Sequence, residues 1–225
     1  MESSVLRNVP LFSEFEQSQL EALAARATVR AYPKGTIVVR EGDRGDGLHV
    51  ILSGSVAVLR IASDNRETIL TILKDGDFFG EMSLFDDSER STTVRAVSLA
   101  QIASIARSEI ISLVESNPSI GRNLIMGLSH RLRDAYDLIS ATTSQDIRGR
   151  LATLLLKLMH GHGEPVEGGT KIALRLTNLE LASMIGSTRE SVNRTLNRFW
   201  DEHLIDMRTS HIIVVEPEKL RTLSP

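Results

Sequence analysis

Cysteine is absent from this chain. Disulfides, thiolate metal sites, cysteine-held iron–sulfur clusters and thiol redox switches are therefore excluded. Aromatic residues make up only 4% of the 225 positions, while hydrophobic residues make up 41%. The cores must be built mostly from Leu, Ile, Val and Ala. Also missing is any run approaching the roughly 18–20 apolar residues of a membrane span. The first thirty residues are polar and amphipathic, with no apolar signal core. A soluble cytoplasmic protein without a membrane partner is expected. An excess of positive charge is lacking too. The net charge is −3. Residues 1–145 hold 15 Lys and Arg against 19 Asp and Glu, and residues 146–225 hold 11 against 10. Any nucleic-acid binding must then rest on a local cluster. No P-loop, metal-ligand cluster or nucleophile-elbow context is present, so an enzyme is not expected.

A chain of this length allows one large or two small domains. Residues 13–30 carry helical spacing. Five glycines then fall between Gly35 and Gly54, among short β-rich runs at Thr36–Val39, Leu48–Leu52, Val56–Ile61, Thr68–Leu73 and Thr92–Val97. Many short strands with glycine turns predict a β-sandwich or barrel. After Ser108 the pattern turns helical, with a break at Asn117-Pro118 and a long helix beyond it. Ile125, Leu128, Leu132, Ala135 and Ile139 are spaced 3, 4, 3, 4, an a/d seam over two heptads. The stripe could pack on the β-domain. A second set, Ile120, Leu124 and Leu138, can take that role while the seam meets a second subunit, so a homodimer is favoured. The polar stretch Ser140–Asp146 reads as a hinge, and Asp146 as the cap of a helix over Ile147–His160. Gly161–Thr170 reads as a loop and Lys171–Leu176 as a strand.

Residues 176–199, LTNLELASMIGSTRESVNRTLNRF, hold two capping-box patterns, Thr177-x-x-Glu180 and Ser187-x-x-Glu190. Leu179, Ala182 and Ile185 are the expected buried positions of the first helix. Gly186 supplies the turn. Two capped helices about a glycine predict a helix-turn-helix. On the second helix Val192, Leu196 and Phe199 share one face, and Arg189, Glu190, Asn193 and Arg194 share a separate arc. That arc can face a DNA major groove, with Arg forking onto guanine and Glu accepting from cytosine. Thr188 opens the arc, and Arg198 is placed for a phosphate. Glu190 would compete between its capping box and a base. The segments Leu204–Met207 and Ile212–Val215, around the turn Arg208–His211, would form a wing.

GDFFGEMSLF, then ERSTTVRA, then STRESVNRTL, separated by the long heptad helix, resemble the cyclic-AMP receptor protein and fumarate–nitrate regulator family of bacterial transcription factors, over about residues 10–215. The resemblance implies an α+β chain: a β-roll (a jelly-roll-like sensor) over residues 1–116, a long dimerisation helix over 117–142 and a winged helix-turn-helix over 143–225. It implies that cyclic AMP is the effector, that Gly80 lets backbone come close, and that Glu81 accepts from the ribose 2′-hydroxyl. Arg90 would pair with the cyclic phosphate, and Ser91 would add a hydroxyl and an N–H. Thr71, Leu73 and Met82 match pocket-lining positions, and Arg131 matches a family arginine. The two positions that reach the adenine amino group in the prototype fall on Ala135 and Tyr136, a departure from the family's polar pair. Bound ligand would bridge the β-roll and the seam and reorient the recognition helices over double-stranded DNA at a two-fold TGTGA-type site. RNA polymerase is a further implied partner, through the loop GHGEPVEGG. The alternatives are a ligand-independent regulator set by its abundance and a sensor acting through a protein partner. His49 and His130 are single histidines without a haem pattern, and His160-Gly-His162 has no third metal ligand.

Overall fold

The computed structural model describes residues 3–86, 88–207 and 210–223; for Ser3, Leu138 and residues 141–144 it describes the backbone alone. Contacts divide the chain into two units, residues 1–133 and 134–225.

The first unit opens with α1 (Ser3–Arg7), a 3-10 turn at Pro10–Phe12 and α2 (Gln17–Arg26). The helical spacing expected through residue 30 stops at Arg26, and Thr28–Tyr32 is strand β1. Here pairing with another strand overrides the local periodicity. There follow β2 (Ile37–Val39), β3 (Gly47–Ser53), β4 (Ser55–Ile61), β5 (Glu67–Lys74), β6 (Phe78–Phe79), β7 (Thr93–Ala96) and β8 (Ala100–Ala106). They form two four-stranded antiparallel sheets, ordered β1-β8-β3-β6 and β2-β7-β4-β5.

Strand alternation sorts the side chains into two cores. Ile51 of β3, Phe79 of β6 and Ile102 of β8 join Val56, Leu73, Val94, Ala96 and Ala100 in a cluster shared by both sheets. Their strand neighbours Val50, Phe78 and Ala103 turn the other way. They join Phe12, Leu20, Ile110, Ile120 and Leu124 in a second cluster, which the helices cover. β6 thus serves one core with each of its two residues. Helix α3 (Arg107–Ser116) closes this part, and Asn117 separates it from α4 (Pro118–Ser144). Ile120 and Leu124 of α4 are buried, as the second apolar set requires. Leu138, the third member of that set, lies outside the described side chains. Gly127 lies so near Phe78 that an added Cβ would stand 2.7 Å from its ring. The absence of a side chain there lets helix and strand meet.

α4 continues through Ser144, so only Gln145 and Asp146 of the expected hinge are non-helical. Asp146 accepts from Gly149 N at 2.8 Å and caps α5, which runs Ile147–His162, two residues beyond expectation. The segment read as a loop holds a hairpin instead. β9 (Gly163–Val166) pairs with β10 (Gly169–Ile172), and Lys171 meets Glu164 across the pair at 2.6 Å. Its polar, glycine-rich composition masks the strands because β9 is an edge, where Pro165 removes no needed ladder bond. The sheet is completed by β11 (Ile205–Asp206) and β12 (Ile213–Val214), in the order β11-β12-β10-β9. Arg208 and Thr209 of the expected wing turn lie outside the described residues. Between these strands come α6 (Asn178–Ile185) and α7 (Arg189–Asp201), and a short α8 (Pro217–Thr222) follows. Among the described residues no helix is long and apolar enough to cross a membrane.

Candidate functional site

In the first unit, Gly80, Glu81, Met82, Arg90 and Ser91 come together at the end of β6, around a 3-10 turn at Met82–Leu84. Arg90 is only 4% exposed. Its Nη1 donates to Gly80 O at 2.9 Å and Ser83 Oγ at 3.3 Å. Its Nη2 donates to Asp46 Oδ1 at 2.8 Å and Gly47 O at 2.9 Å, and lies 3.0 Å from His49 Nε2. Gly80 has φ +87°, and a Cβ there would stand 2.2 Å from Arg90 Nη1. The requirement for glycine thus comes first from the arginine and the backbone angle. Ser91, exposed, places its Oγ 3.5 Å from Met82 Sδ, and Met82 is itself exposed. Thr71 and Leu73 share one face of β5, Thr71 half-buried and Leu73 buried in the inter-sheet core.

Glu81 is also 4% exposed. Its Oε1 accepts from Arg131 Nη1 of α4 at 2.6 Å. Arg131 further donates to Phe78 O and lies over the Phe78 ring at 4.9 Å. Glu81 Oε2 is buried without a hydrogen-bond partner among the described residues. A buried carboxylate oxygen left so is costly, and it marks a place for a donor from outside the chain. A sugar hydroxyl has that chemistry, and a buried guanidinium has the chemistry for a phosphate. The buried pair therefore fits a cyclic nucleotide.

Sequence reasoning set His49 aside as a single histidine without a haem pattern, and passed over Asp46, Gly47 and Ser83. His49 stacks on Phe79 with centroids 4.8 Å apart, and its Nδ1 lies 2.9 Å from Ser104 Oγ. Burial, then the neighbouring Arg90 charge, push its pKa down to about 4, against the opposing pull of Asp46. The available signal was a polar residue at an inward position of the apolar strand LHVIL.

In the second unit, Thr177 and Glu180 form the expected reciprocal cap. Leu181, Ala182 and Ile185 are the buried residues of α6, whereas Leu179 is 60% exposed. The helix starts at Asn178, which sets its inward stripe at 181, 182 and 185, and Leu179 turns to solvent. Gly186 takes the left-handed conformation, φ 61°, that ends α6. The cap of α7 is Thr188, whose Oγ1 accepts from Ser191 N, and not Ser187. Shifting the cap by one residue takes Glu190 out of the capping box. Val192, Leu196 and Phe199 are buried. Thr188, Arg189, Glu190, Asn193, Arg194 and Arg198 are all exposed. Arg189 and Glu190 make no side-chain bond among the described residues. Asn193 Oδ1 accepts from Asn178 at 3.0 Å, Arg194 donates to Ser191 Oγ at 3.1 Å, and Arg198 pairs with Glu202 at 3.0 Å. On α4, Ile125, Leu128, Leu132, Ala135, Tyr136 and Ile139 are each exposed. Among the described residues no group of three His, Asp or Glu could hold a metal ion.

A β-roll with a buried arginine and glutamate, a long helix and a capped helix pair flanked by a small sheet are the architecture of a transcription regulator with a sensor-type domain. Comparison with known proteins agrees. Residues 29–117 match the cyclic nucleotide-binding domain, and residues 149–223 match the Crp-like helix-turn-helix domain. The chain belongs to the cyclic-AMP receptor protein and fumarate–nitrate regulator (CRP/FNR) family. It is 31% identical to the CRP-like cAMP-activated global transcriptional regulator of Mycobacterium tuberculosis, over 96% of both chains. It is 33% identical to the cAMP-activated global transcriptional regulator CRP of Pasteurella multocida, over 87% of this chain and 93% of that one. Among solved structures, it resembles the c-di-GMP responsive global regulator CLP of Xanthomonas campestris. The TM-score is 0.76 and the identity 29%, covering 88% of this chain and 99% of that one.

Proposed function

We propose that this protein is a homodimeric, sequence-specific regulator whose DNA binding is controlled by cyclic AMP. The observation that carries the reading is the buried pair Arg90 and Glu81, with Glu81 Oε2 lacking a partner, inside the cyclic nucleotide-binding domain. Arg90 and Ser91 take the cyclic phosphate. Glu81, its other oxygen held by Arg131, accepts from the ribose 2′-hydroxyl through Oε2. The carboxylate repels the phosphate, so the two charged groups fix the direction in which the ligand enters. The exposed seam Ile125, Leu128, Leu132, Ala135 and Ile139 is the surface for a second copy, because exposed apolar heptad positions are stabilised by a partner helix. Two copies present two α7 helices to half-sites about 34 Å apart on a symmetric TGTGA-type duplex. The ligand shifts the balance of arrangements only through its different affinity for them. RNA polymerase is the partner expected of an activator built this way.

A second reading, control by abundance without ligand, is favoured by Ala135, whose side chain offers no hydrogen bond to a base. Titration of DNA binding with cyclic AMP, cyclic GMP and cyclic di-GMP on one symmetric duplex separates the readings. The proposal expects tightening with cyclic AMP above the other two. Equal binding with and without every nucleotide would establish the second reading. In the same assay Arg90→Ala is expected to bind DNA at its basal level and lose the nucleotide response. A calorimetric titration of Arg90→Ala that matches wild type would refute the assignment of Arg90.

A further inference from the structure

We propose that His49 is the positioning residue of Arg90, a neutral acceptor that fixes the guanidinium for an anionic ligand without cancelling its charge. The inference rests on the cyclic-nucleotide reading of the site and adds a residue that the motif GEMSLFDDSERSTTVRA does not contain.

The tautomer follows from the partners. A guanidinium only donates, so we assign the lone pair to His49 Nε2, 3.0 Å from Arg90 Nη2, whose two hydrogens are then shared among this nitrogen, Asp46 Oδ1 and Gly47 O. The ring hydrogen then sits on Nδ1 and donates to Ser104 Oγ at 2.9 Å. Ser104 stands on β8 directly opposite His49 in the strand register, and Phe79 on β6 stands opposite it on the other side. The imidazole is thus held at one edge by a hydroxyl and at its face by a stacked ring. Three strands of one sheet fix its plane, and its plane fixes where Nη2 points.

The charge argument builds on this tautomer. Five groups accept from Arg90, and four are neutral: Gly47 O, Gly80 O, Ser83 Oγ and His49 Nε2. The fifth, Asp46, is a carboxylate with its side chain 81% exposed. Water screens that carboxylate from its exposed side. A phosphate therefore meets a guanidinium held mainly by neutral acceptors and paired with one solvent-exposed carboxylate. A carboxylate at position 49 would hold Arg90 as firmly and remove the charge that attracts the ligand. Among the described residues the charged groups at the imidazole are Arg90 and Asp46, the latter 3.9 Å from Nε2; Ser104 and Phe79 also contact the ring. With the pKa down at about 4, the ring stays a neutral acceptor across the physiological range.

The test compares wild type, His49→Phe and His49→Gln by calorimetry with cyclic AMP. Phe keeps the stacking and removes the acceptor. Gln reaches the Nε2 position with an oxygen. Loss of a charge-assisted bond in a buried place predicts affinity weaker by about tenfold or more for H49F. Affinity for H49Q should return to near that of wild type. Nitrogen-15 spectra of the wild-type imidazole, which need no variant, should show Nδ1–H and bare Nε2 at pH 7. Equal affinity of H49F and wild type, no rescue by Gln, or an Nε2–H tautomer would each overturn the role of His49. A wild type that binds no cyclic nucleotide sinks the reading of the site itself, and this role with it.

Discussion

Arg90 and Glu81 are charged groups held where charge is expensive, and each is held by a different means. Arg90 is surrounded by acceptors of the chain itself, while Glu81 has one oxygen in an ion pair and one without a partner. His49 adds a pH dependence that is separate from ligand binding. Its folded pKa of about 4 lies below the unfolded value near 6.5, so the unfolded chain takes up the proton first. Stability contributed by the neutral ring is complete above about pH 6.5 and is lost as pH falls toward 4. The expected loss is about 3 kcal/mol across that window. Urea unfolding at pH 7 and pH 4.5 should show a larger fall for wild type than for H49F. Equal falls would assign the acid sensitivity to other groups. Glu81 and Arg90 were legible as a pair because Gly80-Glu81 and Arg90-Ser91 stand in a recognisable motif. His49 and Asp46 were not, since they reach Arg90 from 41 and 44 residues away and only the fold brings β3 alongside; Ser83 stands inside the motif, but only the 3-10 turn aims its hydroxyl at Arg90.

At the scale of elements, local chemistry was readable wherever it was strong. The Thr177–Glu180 box, the Asp146 cap and the Gly186 turn all stand as the sequence implies. The strand runs of β2, β3, β4, β5 and β7 stand within a residue or two. Strand β8 escaped because its sequence, AQIASIA, is rich in Ala and Ser and has weak β-propensity. Its small residues suit a strand paired with both β1 and β3 and packed on both faces. The cap of α7 was misplaced by one residue because Ser187 and Thr188 are adjacent and equally able to cap. That residue bears on the proposed recognition surface, since it takes Glu190, beside Arg189, out of the capping box. Arg189→Ala is expected to relax discrimination at one guanine by about 1–3 kcal/mol. Competition binding between a symmetric site and random duplex reads this directly. A uniform loss on both would reduce Arg189 to a phosphate contact.

For the whole molecule, the exposed seam on α4 is the feature that a single chain leaves unexplained. Ile125 is 66% exposed and Leu132 53%. Leu132→Glu is expected to give a monomer in sedimentation experiments and to weaken binding to a two-fold site far more than to a single half-site. A dimer that survives this change would move the interface elsewhere. The first unit also contains a shorter route between its parts. Phe78 and Phe79 are consecutive, yet one belongs to the helix-covered core and the other to the core between the sheets. Only one rigid peptide plane separates them. Phe79 carries the His49 stack, and Phe78 is wedged against Gly127 and roofed by Arg131. Close-packed interiors do not yield gradually; they hold one arrangement or jump to another. Such a joint resists small displacements, and it stands beside the direct tie that the Glu81–Arg131 bond makes between the same site and α4.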